Sequence, residues 1–311
     1  MLAGWGWMLT TGAAVSDSDE GQTLPEIKRV EVTHELLSKF SDEQDYVGLS
    51  VDLMIECGSW MCVAASLLPA DTRKWSRDQA ILGGLIVRAY KLMSSLLDQT
   101  CQHRRETTFI LGRLLFESLI NVQYLVTKNS TELYQAFVID SLRHEKKLME
   151  SIEDSIGKRN GLILPIEDRM LISIKRAFET SGVNPDEVTK QAAKPWKDVD
   201  LFQRSSAVGW GDGYLALFGG PSHNVHGSWQ DLLEYHLRHD EGGFSPEFAW
   251  HTPRPQVLFT LARVGLVALT TYLEHFAGGA AEGVIDAFDD LWKRIEVADR
   301  AHEAFLSGTQ E

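Results

Sequence analysis

The sequence predicts an all-α protein, a single helical-bundle domain of about nine to eleven helices with no substantial sheet. Apolar residues recur every three or four positions along most of the chain, and no segment shows a convincing period-two alternation. The 311 residues, of which 44% are hydrophobic, are enough for one domain with a sizeable core. We therefore expect an all-helical domain over residues 25–311, preceded by a loose and acidic segment over 1–24.

Five helices are predicted in the first half of the chain. Apolar positions from Ile27 to Phe40 follow helical spacing, and Ser41-Asp-Glu is a typical N-cap for the next helix. A polar break separates this helix from two long apolar segments, and an amphipathic segment follows them. The predicted ranges are 26–40, 41–70, 78–97, 100–127 and 130–156.

Turn residues divide the second half of the chain. Pro165 begins a helix, two short helices follow, and Gly219-Gly220-Pro221 forms a turn before a helix that Ser222 would cap. Two prolines then begin an apolar helix, and a pair of glycines separates it from an amphipathic C-terminal helix. The predicted ranges are 165–180, 196–207, 214–218, 222–233, 253–276 and 281–306.

The charge and cysteine content narrow the function classes. A formal net charge of -14 argues against broad nucleic-acid binding, which needs clustered lysine and arginine. The basic residues of Arg143–Lys147 leave a local nucleic-acid contact open, although a solvated helix face explains them better. Three cysteines at no metal-like spacing fit a reducing compartment, and the apolar segment Val257–Phe276 is interrupted by Arg263 and Glu274. We therefore expect a cytoplasmic protein with no membrane span.

The segment Ile110–Tyr124 carries an arginine and a glutamate in an otherwise apolar helix. Arg113 and Glu117 are four residues apart and share one helix face, where an intrahelical ion pair is the simplest interpretation. However, a helix that is apolar on nearly every face is buried, and an unpaired buried charge is costly. We therefore expect both charges to meet partners inside the fold: a phosphate or carboxylate for the arginine, and a histidine for the glutamate.

The segment Phe218–Trp229 is the second candidate feature. Its two glycines and proline predict a tight turn, and the start of the next helix supplies free N–H groups for an anion. His223 and His226 lie three residues apart on the first turn of that helix, where a histidine can exchange protons near neutral pH. For each of them, a core histidine bonded to the backbone is an equally open interpretation.

A second histidine pair, His236 and His239, raises the question of a metal site. On a continuous helix this pair would point away from His223 and His226, and the cysteines do not contribute. We therefore expect no metal and no cofactor. A bend at Gly227 is the one feature that would change this expectation.

Motifs of the common nucleotide-binding and hydrolytic enzymes do not occur in the sequence. There is no phosphate-binding P-loop, no dinucleotide-binding glycine motif and no nucleophile elbow. The arginine-to-histidine spacing of a helical nuclease type is met only by Arg29 and His34, a match that chance alone would produce. The sequence therefore points to no established catalytic machinery.

The chain resembles an uncharacterised bacterial helical family, domain of unknown function 5677, in an ordered set of motifs: Arg113-x-x-x-Glu117, Tyr124, Glu145-Lys146-Lys147, Tyr214 and Ser222-x-x-Val225-His226-Gly-Ser228. The likeness covers roughly residues 80–275, and only the ordered set is specific. It implies an all-helical fold whose hallmark positions fall on Arg113, Glu117 and His226, with Ser222 at a helix start. It implies no activity, because none is established for the family. The Gly-Gly-Pro turn and the additional His223 depart from the family pattern.

Two functions are consistent with these residues. The first is an anion-binding regulatory or defence-associated module, in which Arg113, Glu117 and His226 form a buried polar cluster. The alternative is a metal-independent ribonuclease or phosphodiesterase, in which His226 is the acid or base, Arg113 stabilises the phosphate and Glu117 orients the histidine. A small anion or a phosphate-containing ligand is the expected partner, and helices 253–306 are a candidate surface for a protein partner or a second copy. The candidate ligand-binding residues are Ser222, His223, Tyr214 and Tyr124.

Overall fold

The computed structural model describes residues 27–66, 74–188, 196, 199–277 and 281–308, and the predicted loose segment 1–24 lies outside them. The all-α prediction is confirmed, since the described residues form eleven α-helices and one two-stranded hairpin. The helices are α1 (His34–Leu37), α2 (Glu43–Ala65), α3 (Arg77–Cys101), α4 (Arg105–Lys128), α5 (Thr131–Lys158), α6 (Pro165–Ser181), α7 (Leu201–Ala207), α8 (Ser222–His226), α9 (Trp229–Asp231), α10 (Pro255–Ala277) and α11 (Glu282–Leu306). A 3-10 turn (Pro185–Glu187), two π turns (Leu215–Gly219 and Leu232–His236) and strands β1 (Leu237–Asp240) and β2 (Gly243–Pro246) complete the described elements.

Helices α2, α3, α4 and α10 pack together around the main hydrophobic core, and α11 covers α2 and α10. Gly265 allows α10 to approach α2 closely, because a Cβ atom there would lie 2.8 Å from Met61 Cε and 3.2 Å from Cys57 Sγ. A smaller apolar cluster joins α5 to α6 at one side of this core. Helix α4 is thus the central helix, and its polar residues Ser118, Asn121 and Gln123 are buried.

By length and composition, four of the described helices could cross a membrane: α2, α3, α4 and α10. By this criterion, Arg263 and Glu274 do not by themselves exclude a span over α10. In the fold these helices bury between 33% and 61% of their most apolar stretches, and α3 buries least. Part of the apolar surface of α3 consequently remains on the outside of the bundle.

The prediction of a helix over 26–40 is wrong for most of its length. In the described part of this range, only His34–Leu37 is helical, and the Thr33 hydroxyl caps it by accepting a hydrogen bond from the Leu36 amide. The residues before it use their backbone groups in tertiary contacts instead. The Val30 amide donates to Glu56 Oε2 at 2.8 Å, and the Val30 carbonyl accepts from Arg294 Nη1 at 2.7 Å. These bonds hold the segment extended against α2 and α11.

The predicted continuous helix over 222–233 is broken at Gly227. This residue has a φ of 57°, a left-handed conformation that glycine adopts without strain and that ends α8 after five residues. Helix α9 and the π turn Leu232–His236 follow, and then a hairpin that the sequence analysis missed pairs Leu237 with Pro246 and Asp240 with Gly243. Each strand has only four residues, too few to give a clear alternation of apolar and polar positions.

Candidate functional site

Polar side chains form a stripe along one face of α4. Arg113, Glu117 and Asn121 are spaced four residues apart, so they lie above one another on the same side of the helix. Three elements that follow in the chain cover this face: α7, the π turn Leu215–Gly219 and α8. The stripe and the side chains that these elements bring to it constitute the candidate site, which we call the α4 stripe.

Arg113 is held by the segment that follows it more than a hundred residues later. Its Nε donates a hydrogen bond to Ser222 Oγ at 3.2 Å, and the Ser222 hydroxyl in turn donates to the Phe218 carbonyl at 2.7 Å. The guanidinium lies over the Phe218 ring at 4.0 Å from its centre, a cation–π contact. The terminal Nη groups of this partly buried arginine form no hydrogen bond with the residues that the structure describes. The Nε side of the guanidinium is therefore held by Ser222, and the two Nη groups are available as hydrogen-bond donors.

Ser222 does not cap α8, contrary to the sequence prediction. Its hydroxyl is used by Arg113 and Phe218, and no side chain caps this helix. The first amides of the turn are also satisfied, because the His223 N–H donates to the Gly220 carbonyl at 3.1 Å and the Asn224 N–H to the Pro221 carbonyl at 3.2 Å. The helix-start anion site expected here is therefore wrong, and the Arg113 side chain remains as the anion-binding group.

The intrahelical ion pair between Arg113 and Glu117 does not form. Glu117 is partly buried and makes neither a hydrogen bond nor an ion pair with any residue in the described part of the chain. Burial lowers the pKa of Arg204 and raises that of Tyr214; the charge of Glu117 opposes the first shift and adds to the second. Within the described residues, Glu117 is thus a carboxylate without a protein partner, one helical turn from an arginine that has unused donors.

Arg204 of α7 is the functional side chain that sequence reasoning missed. It is 5% exposed, its Nη1 donates to Asn121 Oδ1 at 2.6 Å, and its guanidinium lies 4.0 Å from the centre of the Trp196 ring. Burial lowers the pKa of Arg204, and the charge of Glu117 opposes this effect only in part. The signal available in the sequence was its spacing from Leu201 and Val208, which places it on the apolar side of α7.

The two tyrosines named as ligand-binding candidates occupy different positions. Tyr214 is partly buried and stacks on Phe218 with 5.1 Å between the ring centres, and burial raises the pKa of its hydroxyl. Tyr124 is 6% exposed and lies in the core, with its ring 6.3 Å from that of Trp196. Tyr214 therefore belongs to the aromatic wall beside Arg113, whereas Tyr124 supports the buried end of the stripe near Arg204.

The two histidine candidates lie on the surface rather than in a buried cluster. His226 is exposed and forms no hydrogen bond with Arg113 or Glu117, and His223, also exposed, has its Nδ1 3.1 Å from Ser228 Oγ. The expectation of a buried cluster of arginine, glutamate and histidine is therefore wrong in two respects. Arg113 and Glu117 are only partly buried, and the break at Gly227 leaves the histidines of α8 on the outside.

A cavity of about 10 Å³ lies on the inner side of Arg113. Its other lining residues are apolar or lack a polar side chain: Phe109, Gly112, Ala216, Leu217, Pro221, Val257 and Leu261. Such a volume holds at most one water molecule. The cavity is therefore too small for a phosphate or carboxylate, and an anion bound to Arg113 would lie outside it.

Fold and site together define an all-helical protein with a polar stripe on its central helix, in which arginines contact aromatic rings instead of carboxylates. The chain belongs to the family of unknown function DUF5677, whose model matches residues 79–244, more than half of the chain. The match includes α3 to α9 and the hairpin up to Phe244, and it ends before α10, earlier than the limit expected from the sequence. No curated protein and no solved structure matches the chain.

Proposed function

We propose that this protein is an anion-binding helical module in which Arg113 is the principal ligand of a small anion. The observation that carries this proposal is the state of the Arg113 guanidinium: its Nε is bonded to Ser222, its face is covered by Phe218, and its terminal donors have no partner among the described residues. An arginine oriented in this way presents two parallel N–H groups, which match the two oxygens of a carboxylate or phosphate.

Arg204 supports the site without contacting the ligand. It is almost fully buried and its Nη1 is bonded to Asn121, so no ligand in solvent reaches it directly. Because no carboxylate pairs with it within the described residues, its positive charge adds to the potential along the α4 stripe. The buried charge of Arg204 therefore favours the binding of an anion at Arg113.

Glu117 narrows the class of anion. Its unpaired carboxylate repels a second negative charge but accepts a hydrogen bond from a hydroxyl or ammonium group. We therefore expect a small molecule that carries one anionic group for Arg113 and one hydrogen-bond donor for Glu117. A regulatory or defence-associated protein with such a site would respond to occupancy rather than turn its ligand over.

The ribonuclease or phosphodiesterase alternative requires an acid or base beside the phosphate that Arg113 holds. His226, the residue assigned to this role by the sequence, is exposed and makes no hydrogen bond to Arg113 or Glu117. No contact of the described residues favours the alternative, so binding is the function we propose.

Titration calorimetry with inorganic phosphate, acetate and glycine tests the proposal on the metal-free full chain. We expect Arg113→Gln to weaken binding of the best of the three by about 10- to 100-fold, because charge-assisted hydrogen bonds are lost. Arg88→Gln is the matched control, since Arg88 is exposed and its Nε donates to Ser118 Oγ at 3.1 Å in the same way. The control should bind like the wild type. Binding of none of the three probes, or equal binding by the Arg113 variant, would overturn the proposal.

A further inference from the structure

A second polar cluster lies at the N-terminal end of α4, about two turns before Arg113, and shares no residue with the proposed anion site. It consists of Glu106 in the first turn of α4, Asp231 at the end of α9 and His236 at the end of the second π turn. One ligand atom from each residue lies within 4.8 Å of the other two. The break at Gly227 and the π turn create this cluster, because a continuous helix would carry His236 elsewhere.

We infer that Glu106, Asp231 and His236 bind a divalent transition-metal cation of the Zn²⁺ type. The His236 Nε2 atom is 3.3 Å from Glu106 Oε1 and 3.5 Å from Asp231 Oδ2. Zinc bonds to nitrogen and oxygen of about 2.0–2.2 Å place neighbouring ligands of a tetrahedron about 3.3–3.6 Å apart. The third separation, between the Glu106 and Asp231 oxygens, is within 4.8 Å. One imidazole and two carboxylates would leave the fourth position of a tetrahedral site to a water molecule.

Asp231 supplies the independent argument for a cation. Its side chain is 3% exposed, and its Oδ1 accepts a hydrogen bond from Asn224 Nδ2 at 2.9 Å. Its Oδ2 accepts no hydrogen bond from the described residues; it lies 3.5 Å from His236 Nε2 and belongs to the group of three ligand atoms that includes Glu106. A buried carboxylate beside a second carboxylate is unfavourable unless positive charge lies between them. Asn224 fixes the carboxylate orientation, as partners behind metal ligands commonly do.

Positive charge from nearby arginine does not satisfy these carboxylates. Arg105, next to Glu106 in the chain, donates its Nε to the Thr252 carbonyl at 2.7 Å and forms no ion pair with Glu106 or Asp231. A protonated His236 is the remaining internal candidate, and it would make the cluster an ion pair without metal. The His236 side chain is 41% exposed, so a cation would reach the cluster from the side of the imidazole ring.

The experiment measures Zn²⁺ binding to the full chain after dialysis against a chelator. We expect calorimetry to show one strong Zn²⁺ site per chain, weaker Mg²⁺ binding because of the imidazole ligand, and a rise of the melting temperature with Zn²⁺. Asp231→Asn and His236→Gln should each weaken Zn²⁺ binding by at least about 100-fold. Cobalt substitution should give the absorption of a tetrahedral centre in the wild type and not in these two variants.

His239→Gln is the matched control, because His239 is an exposed histidine of β1 close to the cluster in sequence. It should bind Zn²⁺ like the wild type. The His236 variant removes an exposed side chain, so it tests the ligand set even where the buried Asp231 variant loses stability. Absence of strong Zn²⁺ binding by the wild type, or unchanged binding in the His236 variant, would overturn the inference. The cluster would then be an ion pair of His236 with the two carboxylates, without a metal. Neither outcome bears on anion binding at Arg113.

Discussion

Arg294 and Arg204 are both buried, but the fold satisfies them in opposite ways. Arg294 donates to both oxygens of Glu56 at 2.6 and 2.7 Å and to Asp290 Oδ2 at 2.8 Å. Arg204 contacts an amide oxygen, a carbonyl and a tryptophan ring. The first arginine neutralises carboxylates and joins α11 to α2. The second pairs with no carboxylate among the described residues, and the charge of Glu117 offsets its burial only in part.

The pKa values of these two arginines reflect the same difference. Burial alone would lower both, yet the hydrogen bonds and charge of Glu56 raise the pKa of Arg294 above its ordinary value. The pKa of Arg204 stays below its ordinary value, because no hydrogen-bonded carboxylate offsets burial. A buried arginine is therefore structural where a carboxylate pairs with it, as at Arg294. Where no carboxylate pairs with it, as at Arg204, its charge adds to the electrostatic potential around it.

The largest expected effect follows from removing Arg294. We expect Arg294→Met to lower the free energy of unfolding by about 3–5 kcal/mol, because it leaves the buried Glu56 carboxylate without its partner. Replacing both partners, Glu56→Leu with Arg294→Met, should recover much of this loss, since no buried charge remains. Urea unfolding of the two variants measures the difference. A double variant as unstable as the single one would show that the pair is not the stabilising feature.

Arg204→Met should have a smaller effect, about 1–3 kcal/mol, because it leaves only neutral acceptors such as Asn121 Oδ1 unpaired. The same unfolding measurement on this variant sharpens the comparison. A loss equal to that of Arg294→Met would mean that Arg204 also neutralises a buried carboxylate, with Glu117 as the first candidate. The contrast between the two arginines would then be lost.

The smallest expected effect is a dependence of stability on acid pH at the edge of the Arg294 network. The hydrogen bond from Arg29 lowers the pKa of Asp290, so the folded value lies below the unfolded value of about 3.9. Its contribution to stability is therefore complete above the unfolded pKa and is lost as the pH falls through the folded pKa. Because the Asp290 side chain is 46% exposed, we expect less than about 1 kcal/mol. Asp290→Asn should flatten this part of the curve of unfolding free energy against pH.

Much of the fold could be predicted from the sequence, because helical periodicity and capping residues are local signals. The long helices α3, α4, α5, α6, α10 and α11 lie close to their predicted ranges. The secondary-structure predictions fail where tertiary contacts determine the backbone conformation. Val30 has helical spacing to its neighbours, but Glu56 and Arg294 take its backbone groups. The four-residue strands are too short to produce a periodic pattern.

The candidate site was only partly predictable, for the same reason. Arg113 and Ser222 stand out in the sequence, and the structure joins them by a hydrogen bond. Arg204 does not stand out, because a single arginine in a short helix is usually exposed to solvent. Its burial depends on the tertiary contacts with Asn121 and Trp196. The position of His236 depends on the single conformation of Gly227, which residue spacing alone does not determine.

The one-turn helix α8 contributes no buried side chain, although it touches both polar clusters through Ser222 and Asn224. Polar bonds and not core packing therefore keep this turn in place. Segments of that kind detach locally at far less free energy than global unfolding requires. We therefore expect native-state amide exchange to be faster in 222–226 than in α4, while the apolar interior stays intact.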